Sequence, residues 1–308
     1  MKSSISIIIL NYKNWRVTIN CLNSIKKNIR YPIKIILIDN GSKNESVKKL
    51  SYFLNENYKR FIEVDKKHTD TVLDKNFDAL LIKLSNNRGY AGGNNVGLRI
   101  SEKLNLKYSL ILNSDILIKD DFLPIFFEQM QNDSNCSIIT PIIENEKRKI
   151  DLNCLRKRRS IPITIFWNHG LFRPLFRLFL SNKYFFHEID INNRFCKISV
   201  PSGSCLFIDL SWFKSVKYFD ENTFLYEEEH ILYEKVIKSK KHVLLCTSSY
   251  VKHLGGKSSS DNSISVTRNI FFDSLNIYLT KYRKIDKFYS NLIILYIKYS
   301  EKFIRIIK

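Results

Sequence analysis

The sequence predicts an α/β protein with a mostly parallel central sheet flanked by helices and a C-terminal helical extension. Short apolar runs rich in β-branched residues alternate with segments whose apolar residues recur at helical spacing. This alternation is typical of strands and helices in a parallel sheet. Several of the apolar runs end on asparagine, serine or aspartate. Because open α/β sheets bind ligands at the carboxyl ends of their strands, these polar residues are candidates for a site.

The individual elements follow from this periodicity. Stripes at i, i+3 or i+4 predict helices through Val17, Cys21 and Ile25, through Val47, Leu50 and Leu54, and through Val96, Ile100 and Leu104. A further helix is predicted at 121–130, and the aromatic, basic tail from 266 to 308 is predicted to be helical. The predicted strands are residues 4–10, 33–38, 61–64, 79–84, 108–115, 137–140, 198–208 (interrupted at 202–204) and 242–246.

Composition restricts the class of protein. The chain has 308 residues, of which 44% are hydrophobic, enough for a sizeable core. Its six cysteines are scattered without a Cys-x-x-Cys pair, which indicates reduced thiols in a cytosolic protein and no zinc cluster. The apolar start is too short for a signal peptide, and no run approaches the roughly 18 apolar residues of a membrane span.

The formal charge of +20 indicates an anionic partner: nucleic acid, an anionic membrane face or a phosphorylated substrate. A general bias towards Lys, Ile and Asn explains the charge equally well. Between residues 145 and 195 arginines and lysines alternate with aromatic residues, a mixture that suits a membrane interface or stacking on bases. An aromatic helical pair packed on the core is the alternative.

Two loops are candidates for ligand contacts. Gly41 supplies turn freedom after the second strand, and Ser42 is predicted to cap the following helix. The glycine-rich segment 85–95 is predicted to be a turn that opens a helix directly after a strand. Backbone N–H groups in such a turn suit a phosphate, although glycine clusters also form ordinary tight turns.

The chain carries an ordered set of short motifs: Ile9-Leu10-Asn11-Tyr12, Ile38-Asp39-Asn40-Gly41-Ser42, Asn87 to Gly97, Leu112-Asn113-Ser114-Asp115, Gly203-Ser204-Cys205, Phe219-Asp220-Glu221, Phe224 to Glu229, and His253. In this order they resemble the family 2 glycosyltransferases with the GT-A fold, in particular the bacterial rhamnosyltransferase-like group that builds cell-surface polysaccharides. The resemblance covers about residues 4–256, with 145–200 as an acceptor-side insertion. Residues 257–308 are then a basic, amphipathic helical extension.

The resemblance implies a nucleotide-sugar donor, a UDP- or dTDP-sugar, held along the first half of the sheet. A carboxylate can accept the imide N–H of uracil or thymine, and an aromatic ring can stack on the base. The positions that match the family's donor site are Asn11, Tyr12, Asp39, Asn40, Asn87, Gly89, Tyr90, Gly92, Gly93, Asn94, Asn113, Ser114 and Asp115.

Asn113-Ser114-Asp115 matches the family's Asp-x-Asp motif with the first aspartate replaced by asparagine. The resemblance implies that Asp115 and His253 hold Mn²⁺ or Mg²⁺. Such a cation acts as a Lewis acid that neutralises the charge developing on a diphosphate leaving group. Oxygen ligands favour these hard cations over softer metals.

The acidic cluster matches the family's Glu-Asp motif, which places Glu229 at the general base and Glu228 just before it. Glutamate can take the proton from an acceptor hydroxyl that attacks the anomeric carbon. The expected reaction is a single displacement with inversion. The choice between Glu229 and Glu228 stays open, as does a solvated acidic helix start that complements the helix dipole.

Other classes of protein fit less of the sequence. A nucleotidyltransferase would carry a glycine-rich loop after the first strand, where Asn11-Tyr12-Lys13-Asn14 stands. A nucleic-acid-binding protein would not explain the acidic cluster, so no nucleic-acid partner is expected. An inactive saccharide-binding or scaffold relative is the remaining alternative, motivated by Asn113. The basic and aromatic segments predict a peripheral protein at the inner, anionic face of the cell membrane that acts on a lipid-linked saccharide; the oligomeric state is not predicted.

Overall fold

The protein was analysed as a computed structural model that describes residues 4–73, 76–168, 187–255 and 264–307. Its strands in these ranges are β1 (Ile5–Asn11), β2 (Ile33–Asp39), β3 (Phe61–Asp65), β4 (Ala79–Lys83), β5 (Tyr108–Asn113), β6 (Ile116–Ile118), β7 (Cys136–Glu144), β8 (Phe195–Ile198), β9 (Cys205–Asp209) and β10 (His242–His253). Its α-helices there are α1 (Trp15–Asn28), α2 (Ser46–Asn57), α3 (Gly89–Lys103), α4 (Leu123–Asn132), α5 (Ile161–Asn168), α6 (Leu210–Ser215), α7 (Glu228–Lys238), α8 (Ile264–Ile277) and α9 (Lys287–Ile307).

The described strands form one sheet in the order β3-β4-β2-β1-β5-β9-β7-β10-β6, with β8 also paired to β10. Strands β3, β4, β2, β1 and β5 run parallel, as do β7 and β10. Strand β9 is antiparallel to both β5 and β7 and joins the two parallel groups. The predicted α/β class with a mostly parallel sheet is therefore confirmed. The carboxyl ends of β1, β2 and β5 meet at one edge.

The strands are buried because they are nearly continuous runs of aliphatic residues, as expected for a parallel sheet with covered faces. In β1, Ile5, Ile7, Ile8 and Ile9 are fully buried. The helical stripes behave as predicted: α1 buries Val17, Cys21 and Ile25, and α2 buries Leu50 and Leu54.

The tail is helical, as predicted, and forms a second small core. Helices α8 and α9 are joined through a π-helix at Tyr278–Tyr282. Their buried residues pack on one side of α7; this group, called the tail cluster below, is Ile231, Phe272, Leu275, Tyr278, Leu279, Ile294 and Ile297. On α7, Leu232 and Val236 belong instead to the main core. Helix α7 therefore lies between the sheet and the tail.

Some boundaries differ from the predictions. Strand β5 ends at Asn113, so Asp115 lies just beyond it, and the short strand β6 was not predicted. Strands β7 and β10 are longer than predicted because they pair with each other over most of their length. The predicted cap at Ser42 is wrong: α2 begins at Ser46, and the Ser42 hydroxyl accepts a hydrogen bond from the backbone N–H of Lys13 at 2.8 Å.

Part of the basic and aromatic segment lies outside the described residues, namely Phe172, Arg173, Phe176, Arg177, Phe179, Lys183, Phe185 and Phe186. None of the helices that the structure describes is long and apolar enough to cross a membrane. The domain boundaries at 145, 200 and 256 stay predictions.

Candidate active site

Strands β1 and β2 end side by side on Asn11 and Asp39, which are register partners. The side-chain N–H of Asn11 donates to Asp39 Oδ1 at 2.7 Å. The side-chain oxygen of Asn11, Oδ1, accepts from the Thr18 hydroxyl at 2.8 Å. Asp39 Oδ2 accepts the Ser42 backbone N–H at 2.9 Å. These bonds fix a buried carboxylate at the strand ends. Tyr12 follows β1 directly and is half-buried.

Asn40 ties β2 to the turn that precedes α3. Its amide donates to the side chain of Asn87 at 2.8 Å and to the Gly89 carbonyl at 3.1 Å, and its Oδ1 accepts the Arg88 N–H at 2.9 Å. Asn40 and Asn87 thus hold the turn through side-chain hydrogen bonds. Both residues lie at the same edge as Asn11 and Asp39.

The glycines of this segment are mostly inside α3, which corrects the prediction of an open glycine-rich turn. The helix begins at Gly89, so Gly92 and Gly93 lie in its first turns. A Cβ on Gly93 would meet Leu10 Cδ1 at 2.5 Å, so this glycine permits close packing of α3 on β1. Two N–H groups at the start of α3 are also already used: Gly89 donates to Asn87 Oδ1 and Tyr90 to the Phe224 carbonyl, both at 2.9 Å.

Gly89 has a φ of +69°, and a Cβ there would lie 2.0 Å from the Phe224 carbonyl oxygen. This position therefore requires glycine, because residues 219–227, called the acidic loop below, approach it through Phe224. Asn94, one helical turn after Tyr90, donates to the Tyr90 carbonyl at 3.0 Å, while its buried Oδ1 has no hydrogen-bond partner among the described residues.

Beyond β5, Asp115 is 4% exposed and faces the end of β10. His253 Nε2 lies 3.2 Å from Asp115 Oδ2, and His253 Nδ1 lies 4.0 Å from Asp151 Oδ2. The two carboxylates hold the imidazolium form and raise the pKa of His253 to about 9, against the opposing effect of burial. Ser114 is buried, and Asn113 is half-buried.

Asp115 and His253 supply two of the ligands that a divalent cation needs. One carboxylate oxygen and one imidazole nitrogen lie 3.2 Å apart, a separation that adjacent ligands of one metal can have. Asp151 on the other imidazole nitrogen is the kind of carboxylate partner that commonly orients metal-binding histidines. In the described ranges no group of three or more His, Cys, Asp or Glu residues could hold a metal. A cation here would depend on additional oxygen ligands.

The acidic loop has an unusual backbone. Tyr226 and Glu227 are left-handed, with φ of +75° and +63°, and α7 begins at the next residue. Glu227 is held through His230: His230 Nδ1 lies 3.0 Å from Glu227 Oε2, and the other nitrogen of His230 contacts Arg159 at 2.8 Å. Burial would raise the pKa of Glu227, but His230 and Arg159 outweigh it and bring the pKa to about 2. Glu227 is thus a fixed structural anion.

Glu229 is the more exposed of the two carboxyl groups at the start of α7, with its side chain 23% exposed. Its Oε1 lies 3.0 Å from an Arg156 Nη atom and accepts the Gly203 N–H at 3.2 Å. Burial alone would raise its pKa, but Arg156, His230 and the Gly203 N–H together outweigh burial and lower the pKa of Glu229. The carboxylate is therefore ionised at neutral pH and available as a proton acceptor.

Glu228 behaves in the opposite way. Burial and the neighbouring Glu229 charge raise the pKa of Glu228 well above its usual range. Its Oε1 is buried and has no hydrogen-bond partner among the described residues. The two adjacent carboxyl groups thus differ in protonation because their environments differ: Glu228 carries the proton and Glu229 the negative charge.

The turn at residues 202–204 connects these elements. Gly203 N–H donates to Glu229, and the Gly203 carbonyl accepts the Tyr90 hydroxyl at 2.6 Å. The carbonyl of the next residue, Ser204, accepts the backbone N–H of Asn113 at 2.9 Å. The end of β5, the start of α3 and the start of α7 therefore converge on two consecutive residues, Gly203 and Ser204.

The tail also contacts the acidic loop. Asp220 Oδ2 accepts hydrogen bonds from Lys281 Nζ and the Tyr282 hydroxyl, both at 2.7 Å. The Ser274 hydroxyl donates to the Leu225 carbonyl at 2.8 Å. Helix α8 and the π-helix thus hold both sides of the loop that leads to Glu229.

Two residues of this site were not singled out in the sequence. Arg156 is one of a run of basic residues, and Asp151 precedes a short 3₁₀-helix at Leu152–Leu155. Both lie in the predicted insertion and reach the site only through the fold. Their sequence neighbourhood contains no motif that distinguishes them from solvated charges.

A parallel sheet with polar groups at the ends of β1, β2 and β5, a mixed second half and an acidic helix start is the GT-A arrangement. The model of the family described as Glycosyl transferase family 2 matches residues 6–217. Since this is more than half of the chain, the chain belongs to glycosyltransferase family 2, which confirms the resemblance.

The relatives include a glycan-assembly enzyme and two structures. The low-salt glycan biosynthesis hexosyltransferase Agl10 of Haloferax volcanii is 29% identical over 206 residues, covering 63% of this chain and 58% of that protein. GalNAc-T7 with UDP, GalNAc and Mn²⁺ aligns with a TM-score of 0.59 and 13% identity, over 90% of this chain and 47% of that chain. The mannosyltransferase PcManGT of Pyrobaculum calidifontis with GDP-Man and Mn²⁺ aligns with a TM-score of 0.56 and 12% identity, over 93% and 66%. This chain thus spans less than two thirds of each of them.

Proposed function

We propose that the protein is an inverting hexosyltransferase that moves a sugar from a nucleotide-diphosphate sugar to a saccharide acceptor. The observation that carries the proposal is the turn at 202–204, which binds Glu229 through Gly203 and the end of β5 through Ser204. This turn sets an ionised carboxylate near the strand edge that carries Asp115. A proton acceptor beside a site for an anionic leaving group is what a single displacement at an anomeric carbon requires.

In this proposal Glu229 is the general base. Its Oε1 is occupied by Arg156 and Gly203, which leaves the other oxygen for an acceptor hydroxyl. The protonated Glu228 keeps a second negative charge away from the hydroxyl that Glu229 deprotonates. Because the acceptor oxygen displaces the nucleoside diphosphate directly, with Glu229 acting only as the base, the product has inverted configuration at the anomeric carbon.

The donor site extends along the edge from β1 to β5. Asp39, buried and oriented by Asn11, accepts an N–H of the nucleobase, and Tyr12 packs against the base. Asn40, Asn87, Gly89, Tyr90, Gly92, Gly93, Asn94, Asn113 and Ser114 line the remaining sugar and diphosphate positions. UDP and GDP-Man in GalNAc-T7 and PcManGT support a nucleotide donor of this kind.

Asp115 and His253 would hold Mn²⁺ or Mg²⁺, as the Mn²⁺ in those two structures supports. The cation would supply charge neutralisation at the diphosphate. His253 must then present a neutral Nε2, with its proton on the Nδ1 that faces Asp151. The acceptor is a lipid-linked saccharide, and the protein is peripheral at the inner face of the cell membrane.

The proposal is tested by incubating the protein with a panel of UDP-, dTDP- and GDP-sugars and measuring nucleoside diphosphate release with Mn²⁺ and with a chelator. Metal-dependent release from one donor is expected, and it is abolished by Glu229→Gln but not by Glu56→Gln on the exposed side of α2. An inactive saccharide-binding scaffold would release nothing from any donor and would bind no nucleotide.

A further inference from the structure

Helix α9 has two apolar faces: one packs on the tail cluster, and the other is exposed in the described part of the chain. Its residues Ser290, Ile294, Ile297 and Ser300 are at most 9% exposed and face the tail cluster. The other face consists of aromatic and aliphatic side chains that are each 46% exposed or more: Phe288, Tyr289, Leu292, Leu295, Tyr296 and Tyr299. Positions 288, 292, 295 and 299 recur at helical spacing and form a continuous stripe, called the outer face below.

Positive charge accompanies the outer face. Lys284, Lys287 and Lys298 are exposed around it, and Lys298 also lies 4.9 Å from the ring centroid of Phe272 on α8. The acidic residue at this end, Asp286, accepts the backbone N–H of Phe288 at 2.8 Å and so is engaged at the start of the helix. The whole chain has a formal charge of +20.

This combination favours a lipid surface over a second copy of the chain. Aromatic and leucine side chains with lysines beside them are typical of helices that lie in the headgroup region of an anionic bilayer. A symmetric pair of copies joined through the outer face would bring the lysines of both copies together, which is repulsive. The charge complements phospholipid headgroups and opposes self-association.

We propose that the outer face of α9 binds an anionic membrane surface. This inference rests on the proposed membrane location of the protein and names the surface responsible. The tail cluster joins α9 to Ile231 on α7, the helix that begins with Glu228 and Glu229, and to Ile161 at the start of α5. A bilayer contact through α9 would therefore hold α7 and its glutamates at a fixed distance from the membrane. The saccharide of a lipid-linked acceptor lies at that level.

The test is flotation of the full chain with vesicles of phosphatidylcholine alone and of phosphatidylcholine with phosphatidylglycerol. The double variant Leu292→Glu/Leu295→Glu changes the outer face and leaves Ile294 and Ile297 in place. Tyr52→Glu is the control, because Tyr52 is 70% exposed on α2, far along the chain from the tail. Circular dichroism and nucleotide-sugar turnover in solution are measured for every variant.

The wild type and Tyr52→Glu are expected to float with the anionic vesicles and less with neutral ones. The double variant is expected to lose at least about tenfold in partitioning while keeping its fold and soluble turnover. Equal flotation of the double variant would overturn the proposal. So would a wild type that binds no vesicle and elutes as a dimer that the double variant dissociates. Turnover in solution reports on the proposed reaction separately, so its absence would not affect this inference.

Discussion

An Arg156 Nη atom lies 3.0 Å from Oε1 of Glu229 across the edge of the site. The arginine comes from the predicted insertion and the glutamate from the start of α7. Among the groups that lower the pKa of Glu229, Arg156 has the largest effect, while burial raises the pKa of Glu228. The contact therefore helps to keep the negative charge on Glu229.

Removing the proposed base is expected to stop transfer without preventing donor binding. Glu229→Gln keeps the size of the side chain and its contact with Gly203 but cannot accept a proton, so kcat is expected to fall by about 10²- to 10⁴-fold. Single-turnover transfer assays and nucleotide titrations measure the two effects separately. Near wild-type transfer by Glu229→Gln would move the base to Glu228 or to another group.

The charge of Arg156 is expected to set the acid limb of the pH–rate profile. Arg156→Met removes the cation that lowers the pKa of Glu229. The pKa of Glu229 should then rise, so that a higher pH is needed to ionise the base and the acid limb moves to higher pH. Arg156→Lys should restore part of the shift, which a purely structural role of the side chain would not predict. The measurement is kcat/KM as a function of pH for the three proteins.

Restoring an acid at Asn113 is expected to strengthen metal binding. Asn113→Asp adds a carboxylate two residues before Asp115, at the half-buried last position of β5. Hard divalent cations bind more tightly as the number of carboxylate ligands rises. The Mn²⁺ concentration that gives half-maximal turnover should fall several-fold. An unchanged or higher requirement would show that this side chain does not face the cation.

The tail is expected to stabilise the acidic loop through Asp220. Burial would raise the pKa of Asp220, but hydrogen bonds from Lys281 and Tyr282 outweigh it and lower the pKa to about 2. Because the folded pKa lies below the unfolded value of about 3.9, this stabilisation is complete above about pH 4 and is lost as the pH falls through about 2. Tyr282→Phe should lower the free energy of unfolding by about 1 kcal/mol at pH 7, measured by urea denaturation.

The matched control for that variant is Tyr299→Phe, on the exposed face of α9. It removes the same hydroxyl from a site where water can replace its contacts, so little change in the free energy of unfolding is expected. An equal loss in both variants would mean that the Tyr282 hydroxyl adds nothing through Asp220.

The order of strands and helices could be predicted because it depends on local periodicity. The stripe at Val17, Cys21 and Ile25 is buried in α1 as the spacing indicates. Strand lengths were predicted less accurately. Strands β7 and β10 are long because they pair with each other, although they lie about a hundred residues apart in the chain. The sequence of either strand alone does not predict that pairing.

The residues of the candidate site also differ in how well local sequence predicts their position. Residues that follow a strand directly, such as Asn11 and Asp39, could be placed at one edge from the sequence, because parallel strands end together. Arg156 could not, because its contact with Glu229 depends on how the insertion folds back. Gly89 was predicted as one of several donor-site positions, but its requirement for glycine comes from the Phe224 carbonyl oxygen, 2.0 Å from its Cβ position, which only the three-dimensional structure reveals.

We propose that Asp39 and Asp115 belong to one metal-dependent nucleotide site. Calorimetric titration of UDP, dTDP and GDP into the wild type, Asp39→Asn and Asp115→Asn, with Mn²⁺ and with a chelator, tests it most directly. We predict that one nucleotide binds the wild type tightly only with Mn²⁺, that Asp115→Asn removes the dependence on metal, and that Asp39→Asn weakens binding with and without it. Binding that is absent for every nucleotide, or equally strong in all three proteins, would contradict the account.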